Sequence, residues 1–184
     1  ITSIGDETFF GCSSLASLVI PDGVTSIGNG AFAYCGSLKN LVLPESVVSI
    51  KGNLFCKWNG EVKCLSPNFI FEDGVLFNKD KSTIISFRDK DITSYVIPDY
   101  VTSIGGDAFS GCESLTSLVI PDSVVSIGDG AFSGCSSRLI IYCTSVSYAK
   151  EYAIEKNIEY IIDDQAPTLA SVTGNENWQK DKIT

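Results

Sequence analysis

Residues 101–123 read VTSIGGDAFSGCESLTSLVIPDS, and from residue 124 the chain begins the same pattern again with VVSIGDGAFSGC. The two stretches start 23 residues apart. The opening motif, a branched aliphatic residue, one variable residue and then Ser-Ile, also occurs at positions 1, 24 and 47. Self-similarity at a fixed period of about 20–50 residues is typical of repeat proteins. The sequence therefore predicts a repeat solenoid.

Each unit carries large apolar residues at fixed distances from its start. The eighth residue after the start is always phenylalanine: Phe9, Phe32, Phe55, Phe109 and Phe132. The eleventh is cysteine in four units and tryptophan in the third: Cys12, Cys35, Trp58, Cys112 and Cys135. One unit of this size cannot bury its own apolar face, so equivalent residues of successive units must stack. We expect the phenylalanine rings to stack along the solenoid axis.

The second half of each unit has the pattern of a short β-strand. In the fifth unit, Leu118 and Ile120 alternate inward, and Pro121 ends the strand because it has no N–H to donate. Val24 and Ile27 are expected to point inward from the opposite wall. The predicted solenoid therefore has a parallel β-sheet on one face, and short strands with turns or short helices on the other.

One unit, at about 70–100, is longer than the rest. The starts at 47 and 101 lie 54 residues apart, which is one unit of 23 residues plus one of 31. Two apolar segments, 72–77 and 83–87, flank the charged stretch 78–82. This arrangement predicts a β-hairpin with a charged turn.

The end of the array is predicted to carry a cap. Ser147 can cap a helix from Tyr148 to about residue 157 that has Ala149, Tyr152 and Ala153 on one face. Such a helix would cover the apolar end of the stack and its open strand edge. We expect the solenoid to occupy residues 1–162. Residues 163–184 are expected to form a linker or the truncated start of a second domain.

The order LxxLxIPxxVxxIxxxAFxxC resembles the BspA-like leucine-rich repeats of bacterial surface proteins, over about residues 1–162. The third unit departs from this pattern, since Lys51 replaces glycine and Trp58 replaces cysteine. The resemblance implies a leucine-rich repeat solenoid in a cell-surface or secreted bacterial protein. Its implied partner is a protein on the surface of a host or of another microbe. Trp178 and the final Lys182-Ile-Thr resemble the opening of a bacterial immunoglobulin-like domain.

The composition excludes several functions. The chain has 13 basic and 22 acidic side chains, a net charge of −9, and no histidine. Nucleic acid requires a basic surface, and no apolar run approaches the ~18 residues of a membrane span. Without histidine, the Ser-His and Cys-His mechanisms have no base. We expect no enzyme, no cofactor and no metal, no binding to nucleic acid, and no membrane insertion by this segment.

The seven cysteines allow three interpretations: disulfides, a metal site or core packing. Four occupy one repeat position and should form a ladder about 4.8 Å per rung, too straight to converge on one tetrahedral metal. Side chains in such a ladder point the same way, which strains a bridge between neighbours. We favour buried thiols that act as small apolar side chains. Cys56, Cys64 and Cys143 lie off the ladder, and whether one of them forms a disulfide stays open.

The candidate contact residues are those that the strands point outward. Lys39 and Lys63 flank a row of large residues: Val19, Val42, Leu65, Val96, Val119 and Tyr142. Valine suits an exposed strand without any partner, but a long apolar stripe also indicates a face that binds a protein or a glycan. We therefore predict an extracellular protein-interaction or adhesion module that binds through this face. The alternatives are a spacer that displays another domain, and a glycan-recruiting accessory module of a carbohydrate-active enzyme.

Overall fold

The computed structural model describes residues 1–88 and 91–164. Within these ranges the chain forms a β-solenoid of fourteen short strands and one helix, which confirms the predicted fold class. From residue 165 onward, the predicted linker or immunoglobulin-like segment lies outside the described residues.

The strands follow one another in chain order as β1 (Ser3–Ile4), β2 (Ser26–Ile27), β3 (Asn40–Leu43), β4 (Ser49–Ile50), β5 (Glu61–Cys64), β6 (Phe69–Glu72), β7 (Val75–Asn78), β8 (Thr83–Phe87), β9 (Ser94–Val96), β10 (Ser103–Ile104), β11 (Ser117–Val119), β12 (Ser126–Ile127), β13 (Ile140–Cys143) and β14 (Glu159–Ile162). The helix α1 (Tyr148–Glu155) lies between β13 and β14.

One wall of the solenoid, the short-strand wall, is built from the Ser-Ile motifs. Ser3 pairs in parallel with Ser26, and Ser26 with Ser49, so the 23-residue period becomes the strand register. The turns that follow are joined in the same way, because the Phe9 N–H donates to the Ala31 carbonyl at 2.9 Å. Each unit is therefore tied to the next through its backbone.

The opposite wall, the long-strand wall, consists of two parallel sheets. β3 pairs with β5, and the second sheet has the order β14-β13-β11-β9. Leu41 and Leu118 on these strands are fully buried, as the alternating pattern predicts. The sheet of the later units ends in β14, a strand that the sequence analysis did not identify.

The long unit contains the predicted hairpin, because β7 and β8 pair antiparallel on either side of the charged turn. The strand β6 extends it to a three-stranded meander that continues the short-strand wall through β10 and β12. The central strand β7 is buried on both faces. Leu76 packs into the core of the first three units, whereas Val75 and Phe77 pack into the core of the later units.

Polar contacts join the third unit to the fifth across this insertion. The buried Asn53 amide donates to the Ser110 carbonyl at 3.1 Å and accepts from the Ser86 hydroxyl at 2.6 Å. Lys57 pairs with Glu113 at 2.5 Å on the same side. The meander therefore widens the short-strand wall, while the turns of units three and five stay in contact.

The predicted cap helix is confirmed. Ser147 is its N-cap and accepts from the Lys150 N–H, and Ala149, Tyr152 and Ala153 are buried beneath it. The helix ends at Glu155, two residues earlier than expected. The chain then turns back and adds β14 to the open edge of β13. This pairing protects the edge, because an unpaired strand edge can pair with another chain.

The stacking of the phenylalanines is confirmed in both halves. Phe9 stacks on Phe32 with ring centres 5.7 Å apart, and Phe109 contacts Phe87 and Phe132 at 4.7 and 5.5 Å. The expectation of buried ladder thiols holds for Cys35 and Cys112, but Cys135 is only half-buried and the expectation is wrong for Cys12, which is exposed. Cys12 is exposed because the structure describes no unit stacked on its outer side.

Two ladder cysteines donate hydrogen bonds to a carbonyl group of the neighbouring unit, and the three cysteines off the ladder form no disulfide. Cys35 Sγ donates to the Phe9 carbonyl at 3.0 Å, and Cys135 Sγ to the Phe109 carbonyl at 3.2 Å. Cys56, Cys64 and Cys143 carry free thiols.

Candidate interaction surface

The outward positions of the first three units are exposed, but residues 15–20 of the first unit, which were expected to form a strand, form none, so only β3 and β5 are strands in this part of the wall. Val19 is 85% exposed and Val42 is 39% exposed. Lys39 and Lys63 are also exposed. Lys39 comes three residues before Val42 in the chain, and Lys63 pairs with Val42 from the neighbouring strand β5. The structure therefore brings apolar side chains and two cations together on one wall of an otherwise acidic protein.

The register of the third unit corrects one predicted residue. Val42 pairs with Lys63, so Lys63 and not Leu65 continues the row of outward residues. The shift arises at Trp58, which replaces the ladder cysteine. Its indole N–H donates to the Leu38 carbonyl at 2.6 Å, and the turn to β5 is two residues shorter than in the unit before. Leu65 follows β5 and is 44% exposed, so it borders the surface instead.

A glycine makes this short turn possible. A Cβ at Gly60 would lie 2.2 Å from the Trp58 ring and 2.7 Å from the Leu38 carbonyl oxygen. The indole therefore fixes both the length of the turn and the position of Lys63. A tryptophan in place of the repeated cysteine was visible in the sequence, but its effect on the register was not.

Two further predicted contact residues are buried. Val119 is 2% exposed and Tyr142 is 9% exposed, so the expectation that they are available for contact is wrong. Both belong to the inner strands of the four-stranded sheet, β11 and β13, and have an in-register neighbour on each side. The neighbours are large, since Val119 lies between Val96 and Tyr142. Val96, on the edge strand β9, is only half-buried.

The outward row continues beyond the predicted residues. Tyr142 pairs with Ile161 of β14, which is half-buried. The row in the later units therefore consists of Val96, Val119, Tyr142 and Ile161, and it is apolar throughout. Sequence reasoning missed Ile161 because β14 follows the cap helix and carries no repeat motif.

A second set of exposed apolar residues lies on the short-strand wall. Val48 and Val125 are 61% and 65% exposed. Both occupy the variable position of the opening motif, where other units have threonine, and this alternation was visible in the sequence. Isolated valines of this kind are normal on a protein surface. They are the natural controls for the valines of the long-strand wall.

Burial shifts the pKa of most ionisable side chains in the interior toward their neutral form. Burial raises the pKa of the Tyr95 phenol to about 12. Burial also raises the pKa of the thiols of Cys35, Cys64 and Cys143, which keeps them protonated near neutral pH. Only the Cys135 thiol shifts the other way among these groups, because the side-chain hydrogen bond with Cys112 lowers its pKa.

These features define a leucine-rich repeat solenoid with an exposed surface on its long-strand wall. The family model for the BspA type leucine rich repeat region matches residues 1–72 and 83–168 in six copies. The chain belongs to this family. The stretch between the two matched ranges, 73–82, contains all of β7 and the charged turn of the meander.

Several solved structures of bacterial proteins are similar. A leucine rich cell surface protein from Faecalibacterium prausnitzii is 26% identical, with a TM-score of 0.53, over 77% of this chain and 50% of that one. The pneumococcal vaccine antigen PcpA is 25% identical, with a TM-score of 0.55, over 77% of this chain and 44% of that one. A leucine-rich repeat protein from Eubacterium ventriosum is 25% identical, with a TM-score of 0.52, over 88% and 53%.

The chain therefore spans about half the length of these similar structures. A comparison with curated proteins finds no match. Within residues 1–88 and 91–164, no helix has both the length and the apolar character to cross a membrane.

Proposed function

We propose that the chain is a non-catalytic protein-interaction module of an extracellular or cell-surface bacterial protein. The family and the similar surface proteins support a surface location and a role in binding. The observation that carries the proposal is the exposure of Val19 and Val42 on a wall whose strand β3 has Leu41 and Leu43 fully buried on its inner side. A rigid wall loses little conformational entropy when a partner binds.

The proposed contact surface consists of the exposed residues Val19, Lys39, Val42, Lys63 and Leu65, together with the half-buried Val96. Its centre is apolar, and Lys39 and Lys63 add positive charge. A matching partner would present an apolar protein surface bordered by carboxylates, since opposite charges around an apolar centre favour encounter and fix the orientation. We propose a protein on a host cell or on another microbe as this partner.

The test compares exposed valines on the two walls. Beads coated with the chain would be incubated with cultured epithelial cells and with immobilised fibronectin, laminin and collagen. Val19→Lys together with Val42→Lys should reduce attachment, because lysine interrupts the apolar centre. Val48→Lys with Val125→Lys, on the short-strand wall, should leave attachment unchanged.

If both pairs of substitutions leave attachment intact, the long-strand wall is not the interface. If the wild-type chain attaches to none of these surfaces, adhesion is the wrong function and the spacer becomes the better proposal. The spacer proposal predicts that the full protein keeps its function when the repeat array is replaced by an inert spacer of equal length.

A further inference from the structure

Two cysteines of neighbouring units lie side by side in the turns that follow the short strands. Cys112 and Cys135 occupy the same repeat position and are 23 residues apart. Their turns are joined through the backbone, because the Gly111 N–H donates to the Ser133 carbonyl at 2.8 Å. Chains joined in this way lie about 4.8 Å apart, which is within the Cα separation of about 4.4–6.8 Å that a disulfide requires.

The Cys135 thiol leans across to the unit of Cys112. Its Sγ donates to the Phe109 carbonyl at 3.2 Å, and the Cys112 N–H donates to the same carbonyl at 3.1 Å. The side chains of Cys135 and Cys112 are also joined by a hydrogen bond. The two thiols are therefore in contact, whereas strictly parallel side chains would keep them one rung apart.

The two thiols differ in their access to solvent. Cys112 is 4% exposed, whereas Cys135 is half-buried and follows two exposed residues, Ser133 and Gly134. The hydrogen bond with Cys112 lowers the pKa of the Cys135 thiol, which increases the fraction of thiolate, the nucleophilic form. An accessible thiol of lowered pKa beside a second cysteine is typical of redox-sensitive pairs.

The pair at the same position of the first two units differs from this one. Cys35 donates to the Phe9 carbonyl at 3.0 Å, but it is fully buried, and burial raises the pKa of its thiol. Its neighbour Cys12 is exposed. An oxidant therefore meets an exposed thiol whose neighbour is held protonated, and a disulfide between Cys12 and Cys35 should form more slowly.

We propose that Cys112 and Cys135 form a reactive dithiol site that a low-molecular-weight disulfide of the glutathione class converts to a disulfide bond. The Cys135 thiolate attacks one sulfur of the oxidant, forms a mixed disulfide and releases one thiolate, which takes up a proton. Cys112 then gives up its proton, attacks the Cys135 sulfur and releases the second thiol. Two protein thiols are oxidised, and one small disulfide is reduced to two thiols.

This site is separate from the proposed protein-binding surface. Both cysteines lie in the turns between the short-strand wall and the long-strand wall, and neither belongs to the outward row of the long strands. The bond would link the fifth unit covalently to the sixth. The proposal therefore adds a modification site and does not rest on the choice of binding partner.

The direct test maps the disulfide in the folded wild-type chain. The chain is first reduced, freed of reductant, and incubated with oxidised glutathione; the reaction is quenched with acid, and the remaining thiols are alkylated in denaturant. Endoproteinase Glu-C cuts after Glu113 and so places Cys112 and Cys135 in different peptides. Mass spectrometry should find these two peptides joined by a disulfide.

The same digest provides an internal comparison. In phosphate buffer the protease also cuts after Asp22, which separates Cys12 from Cys35. Samples quenched at successive times should show the disulfide between Cys112 and Cys135 before one between Cys12 and Cys35. At early times Cys12 should carry glutathione.

Variants provide a second measurement. Cys112→Ser removes the cysteine that closes the bond, so the internal disulfide should be lost and glutathione should stay on Cys135. Cys12→Ser, at the exposed cysteine of the same repeat position, is the matched control and should leave the disulfide between Cys112 and Cys135 unchanged. Because the mapping uses the wild-type chain, it remains decisive even if Cys112→Ser unfolds the protein.

Three results would overturn the proposal. The first is that Cys112 and Cys135 stay reduced while Cys12 takes up glutathione. The second is that either of them pairs with Cys56, the thiol with which a Cβ on Gly111 would collide. The third is that Cys12 and Cys35 join at least as fast, which would mean that thiol contact does not control the reaction. Loss of cell attachment in the valine variants bears on none of these results, so the two proposals fail separately.

Discussion

The first three units and the later units present the same repeat position in different ways. Val42 and Val119 both lie at the centre of the outward side of a long strand, yet Val42 is 39% exposed and Val119 is 2% exposed. The strand of Val42 belongs to a two-stranded sheet, whereas that of Val119 is an inner strand of four. In a repeat protein, the sequence of a unit determines which way a side chain points. The number and size of neighbouring strands determine whether a partner can reach it.

The largest expected effect comes from removing one ring in each half. Phe109 is fully buried and contacts two phenylalanine rings, so Phe109→Ala should lower the free energy of unfolding by about 3–5 kcal/mol. Phe9, at the same repeat position, is half-buried, so Phe9→Ala should lower the free energy of unfolding by less than half as much. Urea denaturation followed by circular dichroism measures both. Equal losses would mean that the first unit is as well packed as the fifth.

A pair of glycines tests the contact between the third and fifth units. Gly111 and Gly134 share a repeat position and have φ of +78° and +68°, so alanine is strained at both. A Cβ at Gly111 would lie 2.4 Å from Cys56 Sγ, whereas the nearest atom to one at Gly134 is 3.6 Å away. Gly134→Ala should cost about 1–2 kcal/mol from strain alone.

Gly111→Ala should cost about 1 kcal/mol more than Gly134→Ala, because the thiol must move. Thermal denaturation of the two variants and of Gly111→Ala combined with Cys56→Ala measures the difference. If removal of the thiol does not reduce the excess cost, the two units are not in contact at this point.

Alkaline pH should lower the stability of the later units through Tyr95. The Tyr95 phenol has a pKa of about 12 in the folded chain, against 10.0 for its ordinary value, because it is buried. Below pH 10 the phenol is protonated in both states, and its burial does not weaken the fold. As the pH rises from about 10 to 12, the unfolded chain loses this proton first, and stability falls.

Solvent screening reduces the expected contribution of Tyr95 to about 1–2 kcal/mol. Tyr95→Phe should lose less stability between pH 9 and pH 11.5 than the wild-type chain does, as measured by urea denaturation at about these two values. Parallel losses in the two proteins would assign the alkaline sensitivity to other groups.

The smallest effect tests the outward position itself. Val119→Thr introduces a hydroxyl group of nearly the same size at a buried site, and should cost about 1 kcal/mol. Val42→Thr, at the equivalent exposed site, should change stability by less than about 0.5 kcal/mol. Thermal unfolding midpoints distinguish the two. An equal cost would contradict the difference in exposure from which this comparison starts.

Local repetition explains what could be predicted. The period, the wall that each strand joins and the cap at Ser147 follow from patterns within about 23 residues, and the structure has all three. The register at Lys63 could not be predicted, because it depends on how the Trp58 ring packs against the preceding unit. The burial of Val119 depends on the large residues that happen to flank it, Val96 and Tyr142, and the burial of Tyr142 depends in turn on β14, which carries no repeat motif. The contact of Arg88, which follows β8, with the carbonyl oxygens of Asn59 and Gly60 requires the meander and the third unit to meet, which no single unit encodes.

The strand β7 has a consequence for how the molecule unfolds. Leu76 on one face completes the core of the first three units, and Val75 and Phe77 on the other complete the core of the later ones. An array of identical repeats can unzip from one end with each unit lost separately. Here neither half can detach without exposing one face of a strand that the other half needs. We expect this shared strand to raise the cooperativity of unfolding, so that under a pulling force the chain resists as two coupled blocks instead of yielding repeat by repeat.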